Sequence, residues 1–418
     1  MSNNYWLFIE PYIHIEKYKN NILLYNTLSG VNLEYQQDSI SNLIQQIDND
    51  MNLLVIPLSD NDLLNSEIQQ FIMDLKKFYF GDIIPMINGG TKPIQLKPIF
   101  NIHRNIQTLQ TSEEISIGTS IMLNLTQLTL YINSHCSLHC QYCSSTYKQL
   151  YCCTKYSVSK SEMSFNMITS IIESLSGSSV NKINLMGGNV FKHPCFCEIL
   201  SLINNHNIEI ELYAHYKHLL NYTTPNSLPI SVLNVIIDNE VDMIALTNVI
   251  SLINNAQFTI KYHFFVTNDK EYENIINKLP TLDIENYIFH PLFNEHNFDF
   301  FKENVFVNKD DICGEKTSIT DIYIRQVANP IYFGKLYIMC NGDVFANLNA
   351  NKIGNLENQS LAEIANNEMD KGTSWRQTRD KVKPCKKCLY KFICPPISNY
   401  EYCLGKFDLC TITESHSD

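Results

Sequence analysis

Three closely spaced cysteines, Cys136-x3-Cys140-x2-Cys143, are the residues of this sequence best suited to chemistry. They follow directly after the apolar run Leu128–Ile132, which has the pattern of a β-strand. Three thiolates can bind three irons of a four-iron, four-sulfur (4Fe-4S) cluster, and the short loop between them supplies no ordinary fourth ligand. The fourth iron would then be open for a small molecule. A zinc site or three incidental thiols are the alternatives, although zinc usually takes four protein ligands.

Length and charge narrow the class of protein. The chain has 418 residues, which predicts two or three domains, and 44% of them are hydrophobic. The formal charge of −12 and the absence of a long Lys/Arg run argue against nucleic acid as a partner.

The start of the sequence lacks a basic segment followed by an apolar one, and no stretch reaches the roughly 18 apolar residues of a membrane span. We therefore expect a cytoplasmic protein with no membrane span. In such a reducing compartment the 14 cysteines are better candidates for metal or redox ligands than for disulfides.

Residues 1–85 contain no cysteine and form a candidate separate module, with residues 86–125 as the linker that follows. Alternation and three- to four-residue periodicity predict the following elements: strands at Tyr12–Glu16 and Ile22–Asn26, and helices at Ser39–Ile47 and Ser66–Phe78.

Residues 126–300 repeat a strand and helix pattern six times. The predicted strands are Leu128–Ile132, Lys182–Met186, Ile208–Ala214, Leu233–Asp238, Phe258–Val266 and Tyr287–Phe293. Helices are clearest at 167–175 and 241–253. Alternating βα units predict a parallel sheet, and six of them suit a partial barrel as well as an open sheet. Either fold gathers ligands at the carboxyl ends of the strands, where the cysteine triplet lies.

Residues 301–418 have fewer regular elements and are rich in cysteines. A hairpin is predicted from Lys335–Met339 to Val344–Asn347, because Asn341-Gly342 is a strong turn signal, and a helix is predicted at Ser360–Glu368.

The triplet, with the aromatic Tyr142 just before its third cysteine, resembles the signature of the radical S-adenosylmethionine (SAM) superfamily residue for residue. The resemblance implies that the open iron chelates SAM, that Tyr142 lies among the cofactor-binding residues, and that residues 126–300 form a partial (β/α)6 barrel. One electron from the cluster would cleave SAM to a 5′-deoxyadenosyl radical, while the protein positions the cofactor.

A glycine pair ends the second predicted strand. Met186-Gly187-Gly188-Asn189 resembles the Gly-Gly-Glu segment of the same superfamily, which implies that Gly187, Gly188 and Asn189 contact SAM. Glycines let backbone carbonyls approach the SAM amino group without an intervening Cβ. Asn189 replaces the usual Glu and offers no charge to the ammonium, so we expect weaker or differently organised SAM binding. A plain turn after the strand is the alternative.

A second cysteine group, Cys385-x2-Cys388-x5-Cys394, lies near the end of the sequence, with Cys403 and Cys410 after it. Together with the Lys352–Leu356 segment upstream, it resembles the SPASM extension of radical SAM peptide-modifying enzymes. That extension holds auxiliary iron–sulfur clusters. Two cysteines of the family pattern are missing, one near Ala346-Asn347 and one at Ser398.

The resemblance implies one or two auxiliary 4Fe-4S clusters. We assign Cys385, Cys388, Cys394 and Cys410 to a complete one. Cys313, Cys340 and Cys403 remain for a second cluster with an open or non-cysteine ligand. A structural zinc at the four-cysteine site is the competing interpretation.

Other polar residues lack a recognisable pattern. Asp238, His263 and His290 fall near strand ends but receive no catalytic role. Ligand spacing is equally absent at four further cysteines: Cys152, Cys153, Cys195 and Cys197.

The N-terminal module, with the run Leu23–Gly30 leading into two helices, resembles the winged-helix element that recognises leader peptides in ribosomal peptide maturation. Such an element can take an extended peptide onto a strand edge. An ordinary α+β appendage is the alternative.

As a whole, the chain resembles radical SAM/SPASM peptide maturases, especially a Bacteroidales group associated with Gly-Gly leaders and labelled "pseudo" radical SAM. The resemblance implies an α/β fold with an N-terminal winged-helix-like module and a C-terminal SPASM-like domain. It implies an enzyme that abstracts hydrogen from a ribosomal precursor peptide, with cross-link, thioether or epimerisation as outcomes. A flavodoxin- or ferredoxin-type electron donor would be a further partner. The alternatives are an inactive peptide-binding scaffold and a SAM-independent electron carrier.

Overall fold

The N-terminal module contains two helices and two separate antiparallel sheets. The computed structural model describes residues 4–86, 91–93, 95, 111, 116–138, 140, 143, 148–152 and 162–412. The elements of the module are β1 (Asn4–Ile9), β2 (Ile13–Tyr18), β3 (Asn21–Asn26), β4 (Asn32–Tyr35), α1 (Asp38–Ile47), β5 (Val55–Ser59), α2 (Ser66–Lys77) and β6 (Gly81–Pro85).

One sheet of the module has the order β5-β1-β6 and the other the order β2-β3-β4. Both helices bury one apolar face, for example Ile44 on α1 and Phe71 on α2, against the strands. The two predicted strands and two predicted helices are confirmed within a residue or two. The winged-helix resemblance remains a prediction.

Six parallel strands form the core of the largest sheet. Its strands and helices are β7 (Gln127–Tyr131), α3 (Phe165–Ser174), β8 (Lys182–Met186), α4 (Phe196–Asn205), β9 (Glu209–His215), α5 (Tyr216–Leu219), β10 (Val232–Ile237), α6 (Met243–Ile253), β11 (Thr259–Val266), α7 (Asp269–Ile276) and β12 (Tyr287–Pro291). The six strands lie beside one another in sequence order. A doubly wound sheet reverses its order at a switch point, so this arrangement is that of a barrel segment.

The two faces of this sheet differ in chemistry. Apolar residues such as Leu130, Leu185 and Val235 belong to the main core that includes the helices. Their neighbours in the strands point to the opposite face, because successive strand residues alternate. That face carries buried polar groups: Thr129, Asn184, Asn234 and His263.

The C-terminal part continues the same sheet. Its elements are α8 (Phe298–Val305), α9 (Lys309–Gly314), α10 (Ile319–Val327), β13 (Lys335–Ile338), β14 (Asp343–Phe345), β15 (Gly354–Asn355), α11 (Leu361–Lys371) and α12 (Asn399–Leu404). Strand β13 pairs in parallel with β7, and the predicted hairpin β13–β14 is thereby attached to the edge that β7 would otherwise leave open. The described residues form a sheet of nine strands in the order β12-β11-β10-β9-β8-β7-β13-β14-β15.

The N-terminal module packs against the C-terminal part. Leu23 and Tyr25 of β3 share an apolar cluster with Ile312, Ile393 and Ile412. The Tyr25 hydroxyl accepts a hydrogen bond of 2.8 Å from the backbone N–H of Thr317 in buried surroundings. Lys391 reaches back to Glu16 of β2 at 2.6 Å. The sheet β2-β3-β4 therefore packs against the C-terminal cysteines.

Among the helices of the described part, none combines the length and apolar character needed to cross a membrane.

The Tyr25 contact predicts a difference between two tyrosine variants. Tyr25→Phe leaves the buried Thr317 N–H without its acceptor, which costs about 1–3 kcal/mol. Tyr12→Phe is the matched control, because the hydroxyl of Tyr12 donates to the Tyr79 carbonyl in an exposed position where water can replace it. Urea unfolding should show a lower midpoint for Tyr25→Phe than for Tyr12→Phe. Equal midpoints would contradict the role of this contact.

Candidate iron–sulfur sites

The first cysteine triplet lies at the carboxyl end of β7. Cys140 is buried, and Cys136 and Cys143 are partly exposed. The N–H of Cys143 donates to the Cys140 carbonyl at 3.0 Å. Cys140 and Cys143 pack in one apolar cluster with Ile236 and Phe265 from the ends of β10 and β11. Tyr142 and Cys153 lie outside the described residues.

The glycine pair after β8 lies directly against the cysteine loop. Gly187 has φ +102°, and a Cβ there would lie 2.3 Å from the Asn133 carbonyl oxygen. Gly188 has φ +36°, and its Cβ would lie 2.3 Å from the carbonyl oxygen of His135. Only glycine fits such an approach of two backbones. The structure therefore brings the Gly-Gly segment and the first residues of the cysteine loop into one unit.

Asn189 completes this contact with both its backbone and its side chain. Its carbonyl accepts a 2.9 Å hydrogen bond from Asn133 Nδ2. Its own Oδ1 accepts from the N–H of Phe191 at 3.2 Å and caps the short turn Val190–Lys192. The amide oxygen of Asn189 is thus engaged by backbone.

Two histidines at the end of β9 also reach the triplet. His218 Nε2 lies 3.6 Å from Cys136 Sγ. Side-chain ligand atoms of Cys140, His215 and Asp238 all lie within 4.8 Å of one another, the sole such three-residue group within the described residues. Burial, followed by the neighbouring His215 and Lys192, lowers the pKa of His218 to about 4, so this imidazole is neutral at pH 7.

Sequence reasoning did not single out His215 or His218. The available signal was their position, because the segment His215–His218 follows a predicted strand whose carboxyl end lies at the ligand edge of the sheet. The sequence does place Asp238 at the neighbouring strand end. Periodicity alone could not tell which strand-end residues meet the cysteines.

His263 and His290 lie on the polar face of the sheet. His263 Nδ1 and His290 Nε2 are 2.9 Å apart, and His263 Nε2 is 2.9 Å from Asn234 Oδ1. Burial is the main cause that lowers the pKa of His263 to about 3 and that of His290 to about 4. These two residues form a neutral hydrogen-bonded pair.

Four cysteines of the C-terminal group line one small cavity: Cys385, Cys388, Cys394 and Cys410. Burial is the main cause that raises the pKa of Cys388 to about 11 and that of Cys394 to about 12. Without a metal these thiols keep their protons, and a bound metal must displace them. A set of four soft sulfur ligands suits an iron–sulfur cluster or zinc. The four side chains therefore fit the group expected there.

A buried ion pair lies beside this cavity. Arg379 and Glu401 are 8% and 3% exposed, and Arg379 Nη1 lies 2.9 Å from Glu401 Oε1. The same nitrogen lies 3.5 Å from Cys385 Sγ, and Arg379 Nε donates to the Pro395 carbonyl. The guanidinium thus ties Cys385 to helix α12.

The three remaining candidate cysteines lie in different surroundings. Cys313 packs at the edge of the apolar cluster that contains Cys388 and Cys410. Cys340 belongs to the main core of the large sheet. The Cys403 thiol accepts a 3.1 Å hydrogen bond from Asn349 Nδ2. The structure thus sets Cys313 beside the four-cysteine cavity, whereas the other two belong to separate surroundings.

The two positions where family cysteines are missing have other structural roles. Asn347 is fully buried, and its Oδ1 accepts hydrogen bonds from the hydroxyl of Tyr151 and from the N–H of Asn349. Ser398 begins helix α12 and forms a capping box with Glu401. Of the other cysteines, Cys152 packs in the same apolar cluster as Cys140.

A comparison with protein families identifies the C-terminal part. Residues 331–389 match the family model of the SPASM iron-sulfur cluster-binding domain. The chain carries a SPASM domain. The hairpin, helix α11 and the first two cysteines of the four-cysteine cavity fall within this SPASM domain, which confirms the prediction of an iron–sulfur cluster-binding region there.

Solved structures give more distant similarities. Streptococcus suis SuiB matches with 11% identity and a TM-score of 0.46, over 93% of this chain and 94% of that one. SuiB bound to precursor peptide SuiA matches with 13% identity and a TM-score of 0.44 over the same shares. Native anSMEcpe with bound AdoMet matches with 16% identity and a TM-score of 0.41, over 64% and 88%. No curated protein matches this chain by sequence. At these values the structural similarities carry no functional argument.

The glycine contact predicts unequal effects of two Gly→Ala variants. Gly177 has φ +81° and open space around it, so Gly177→Ala carries only the backbone penalty of roughly 1 kcal/mol. Gly187→Ala adds a collision with the Asn133 carbonyl and must separate β8 from the cysteine loop. We expect Gly187→Ala to lower the unfolding midpoint further and to reduce iron bound at the triplet. Equal losses in both variants would contradict the close-approach argument.

The buried pair predicts a large loss of stability. Arg379→Met leaves Glu401 charged and unpaired inside the protein, at a cost of about 3–5 kcal/mol. Lys352→Met is the control, because the Lys352 side chain is 58% exposed in its 3.0 Å pair with Asp343, and such pairs contribute at most about 1 kcal/mol. Denaturant unfolding measures both. A small effect of Arg379→Met would contradict a structural role for this pair.

Proposed function

We propose that this chain is a radical SAM enzyme that modifies a ribosomally made precursor peptide. The contact between the cysteine loop and the Gly187-Gly188 turn supports this most directly. It sets a three-cysteine ligand group and a turn without Cβ atoms beside each other, at the carboxyl edge of consecutive parallel strands. Such an edge is where α/β folds bind cofactors.

Cys136, Cys140 and Cys143 would hold a 4Fe-4S cluster with one open iron. When bound, that cluster would supply the electron that cleaves SAM and yields a 5′-deoxyadenosyl radical. The chain's own residues position the reactants: the cysteine loop is fixed by the Gly187 and Gly188 contacts, and the apolar cluster around Ile236 and Phe265 limits water. Tyr142 and Asn189 are further candidates for contact with SAM.

We propose one auxiliary 4Fe-4S cluster held by Cys385, Cys388, Cys394 and Cys410. Cys403 is hydrogen-bonded to Asn349, and Ser398 and Asn347 have structural roles, which disfavours a second auxiliary cluster on the remaining cysteines. The auxiliary cluster would accept the product electron or bind the peptide. A flavodoxin- or ferredoxin-type donor would reduce the SAM-site cluster.

The N-terminal module is the proposed site for the leader of the precursor. Its two small sheets have strand edges to which an extended peptide can add through backbone hydrogen bonds. Because β3 packs in one apolar cluster with the C-terminal cysteine group, a leader bound to this sheet would lie close to the auxiliary site.

Deletion of residues 1–85 would then abolish leader binding, which fluorescence anisotropy with a labelled leader peptide would measure.

Iron content tests the division of the cysteines. After anaerobic reconstitution, two complete clusters give about eight iron and eight sulfide per chain. Cys394→Ser should lower both values by about half, while Cys403→Ser should leave them unchanged. About twelve iron per chain in the unaltered protein would contradict the proposal of a single auxiliary cluster.

The activity test is SAM cleavage under dithionite. The unaltered protein should form 5′-deoxyadenosine, and Cys136→Ala should abolish it, whereas Cys197→Ser on the exposed face of α4 should retain it. Absence of 5′-deoxyadenosine from protein with both clusters loaded would overturn the proposed activity.

Mass analysis of a precursor peptide incubated with the protein would distinguish the reactions. A loss of two hydrogens would indicate cross-linking, and deuterium uptake at unchanged composition would indicate epimerisation.

A second function is favoured by one observation. The Asn189 side chain lacks the charge of the usual Glu, and its oxygen caps a turn. A peptide-binding scaffold that keeps its clusters but cleaves SAM poorly would show leader binding and full iron content without 5′-deoxyadenosine. The two assays above distinguish it from the enzyme.

A further inference from the structure

Two imidazoles contact the cysteine triplet from the same turn. His215 ends β9, and His218 lies three residues later in α5, so the two rings are on neighbouring positions of one helical turn. His218 Nε2 is 3.6 Å from Cys136 Sγ, and a His215 ring nitrogen lies within 4.8 Å of Cys140 Sγ. One ring thus lies close to Cys136 and the other lies near Cys140.

Hydrogen bonding fixes the tautomer of His215. Its Nδ1 accepts a 3.2 Å hydrogen bond from the N–H of Lys217, so the ring proton of the neutral imidazole is on Nε2. That Nε2–H is fully buried, and although it lies 3.4 Å from Asp238 Oδ2, it makes no hydrogen bond to the residues that the structure describes. A protonated nitrogen is a donor and not a metal ligand. The group of Cys140, His215 and Asp238 is therefore better suited to hydrogen bonding than to holding a separate metal ion.

The surroundings of His218 also suit a hydrogen bond to a cysteine better than the binding of a separate metal ion. The ring is buried, and its Nδ1 has no hydrogen-bond partner within the described residues. A thiolate that binds iron has no proton to give, so a hydrogen bond to it must come from the ring. The Nε2 position of His218 is the atom that faces Cys136.

We propose that His218 and His215 donate N–H···S hydrogen bonds to the thiolates of Cys136 and Cys140 and raise the reduction potential of the cluster at this site. The reason is electrostatic: the extra negative charge of the reduced cluster strengthens these bonds, so they stabilise the reduced state more than the oxidised one. A higher potential makes the cluster easier to reduce and lowers the driving force for electron transfer to SAM. The inference rests on the proposed function only in requiring a cluster on the triplet.

The test is the midpoint potential of the SAM-responsive cluster, followed by EPR in an anaerobic redox titration. His218→Leu removes the donor and should shift the potential to a more negative value. His218→Gln keeps an N–H donor of similar reach and should stay close to the unaltered protein. His206→Leu is the control, because His206 lies exposed at the end of α4 and its ring contacts the Leu202 carbonyl, away from the cysteine triplet.

His215 needs a variant that preserves its role at the start of α5. His215→Asn keeps an acceptor for the Lys217 N–H, since Asn is a favoured N-cap residue, but is too short to reach Cys140. It should also lower the potential. Potentials that stay unchanged or rise in both His218→Leu and His215→Asn would overturn the proposal.

A second measurement needs no variant. Pulsed EPR of the reduced protein, prepared with ¹⁵N-labelled histidine, should show coupling of imidazole nitrogen to the SAM-responsive cluster. If His218→Leu fails to retain its cluster, this measurement decides, and absence of the coupling would overturn the inference. Failure to bind any cluster at the triplet would instead refute the proposed function. A loaded cluster with normal SAM cleavage and no potential shift would refute this inference alone.

Discussion

The close approach of the Gly187-Gly188 backbone to Asn133 and His135 is the constraint on which the first candidate site depends. Each glycine lacks a Cβ at a point where one would lie 2.3 Å from a carbonyl oxygen of the neighbouring loop. The segments that follow the adjacent parallel strands β7 and β8 thus pack directly against each other. The loop that begins there carries Cys136, and Cys140 and Cys143 pack with Ile236 and Phe265 from the ends of neighbouring strands.

The position of β7 links this unit to the C-terminal half. β7 pairs with β8 on one side and with β13 on the other, and both pairings are parallel. Because β13 belongs to the SPASM domain, the strand that leads into the first cysteine group is also held by the domain of the second group. Asn349 and Asn399 add hydrogen bonds to the Lys148 carbonyl beyond the cysteine loop. The two candidate iron–sulfur sites therefore share a continuous hydrogen-bonded framework.

Much of this architecture could be predicted from local sequence. Lys182–Met186 was predicted as a strand and is one, since a short apolar run before Gly-Gly has few other structures available. The hairpin at Asn341-Gly342 was likewise predicted from its turn residues. Local signals could not give the pairing of β13 with β7, because strands separated by some 200 residues pair according to tertiary packing. For the same reason the contacts of His215 and His218 with the triplet, and the place of Cys313 beside Cys388, are known only from the folded chain.

As proposed, the first cysteine group leaves one iron open to SAM and the C-terminal group leaves none. Mössbauer spectroscopy of the ⁵⁷Fe-reconstituted protein tests it directly, because SAM that binds an open iron changes the electronic environment of that iron alone. We predict that SAM alters the signal of about one iron in eight and leaves the others unchanged. A spectrum that SAM does not change, in protein that carries both clusters, would contradict an open iron at Cys136, Cys140 and Cys143.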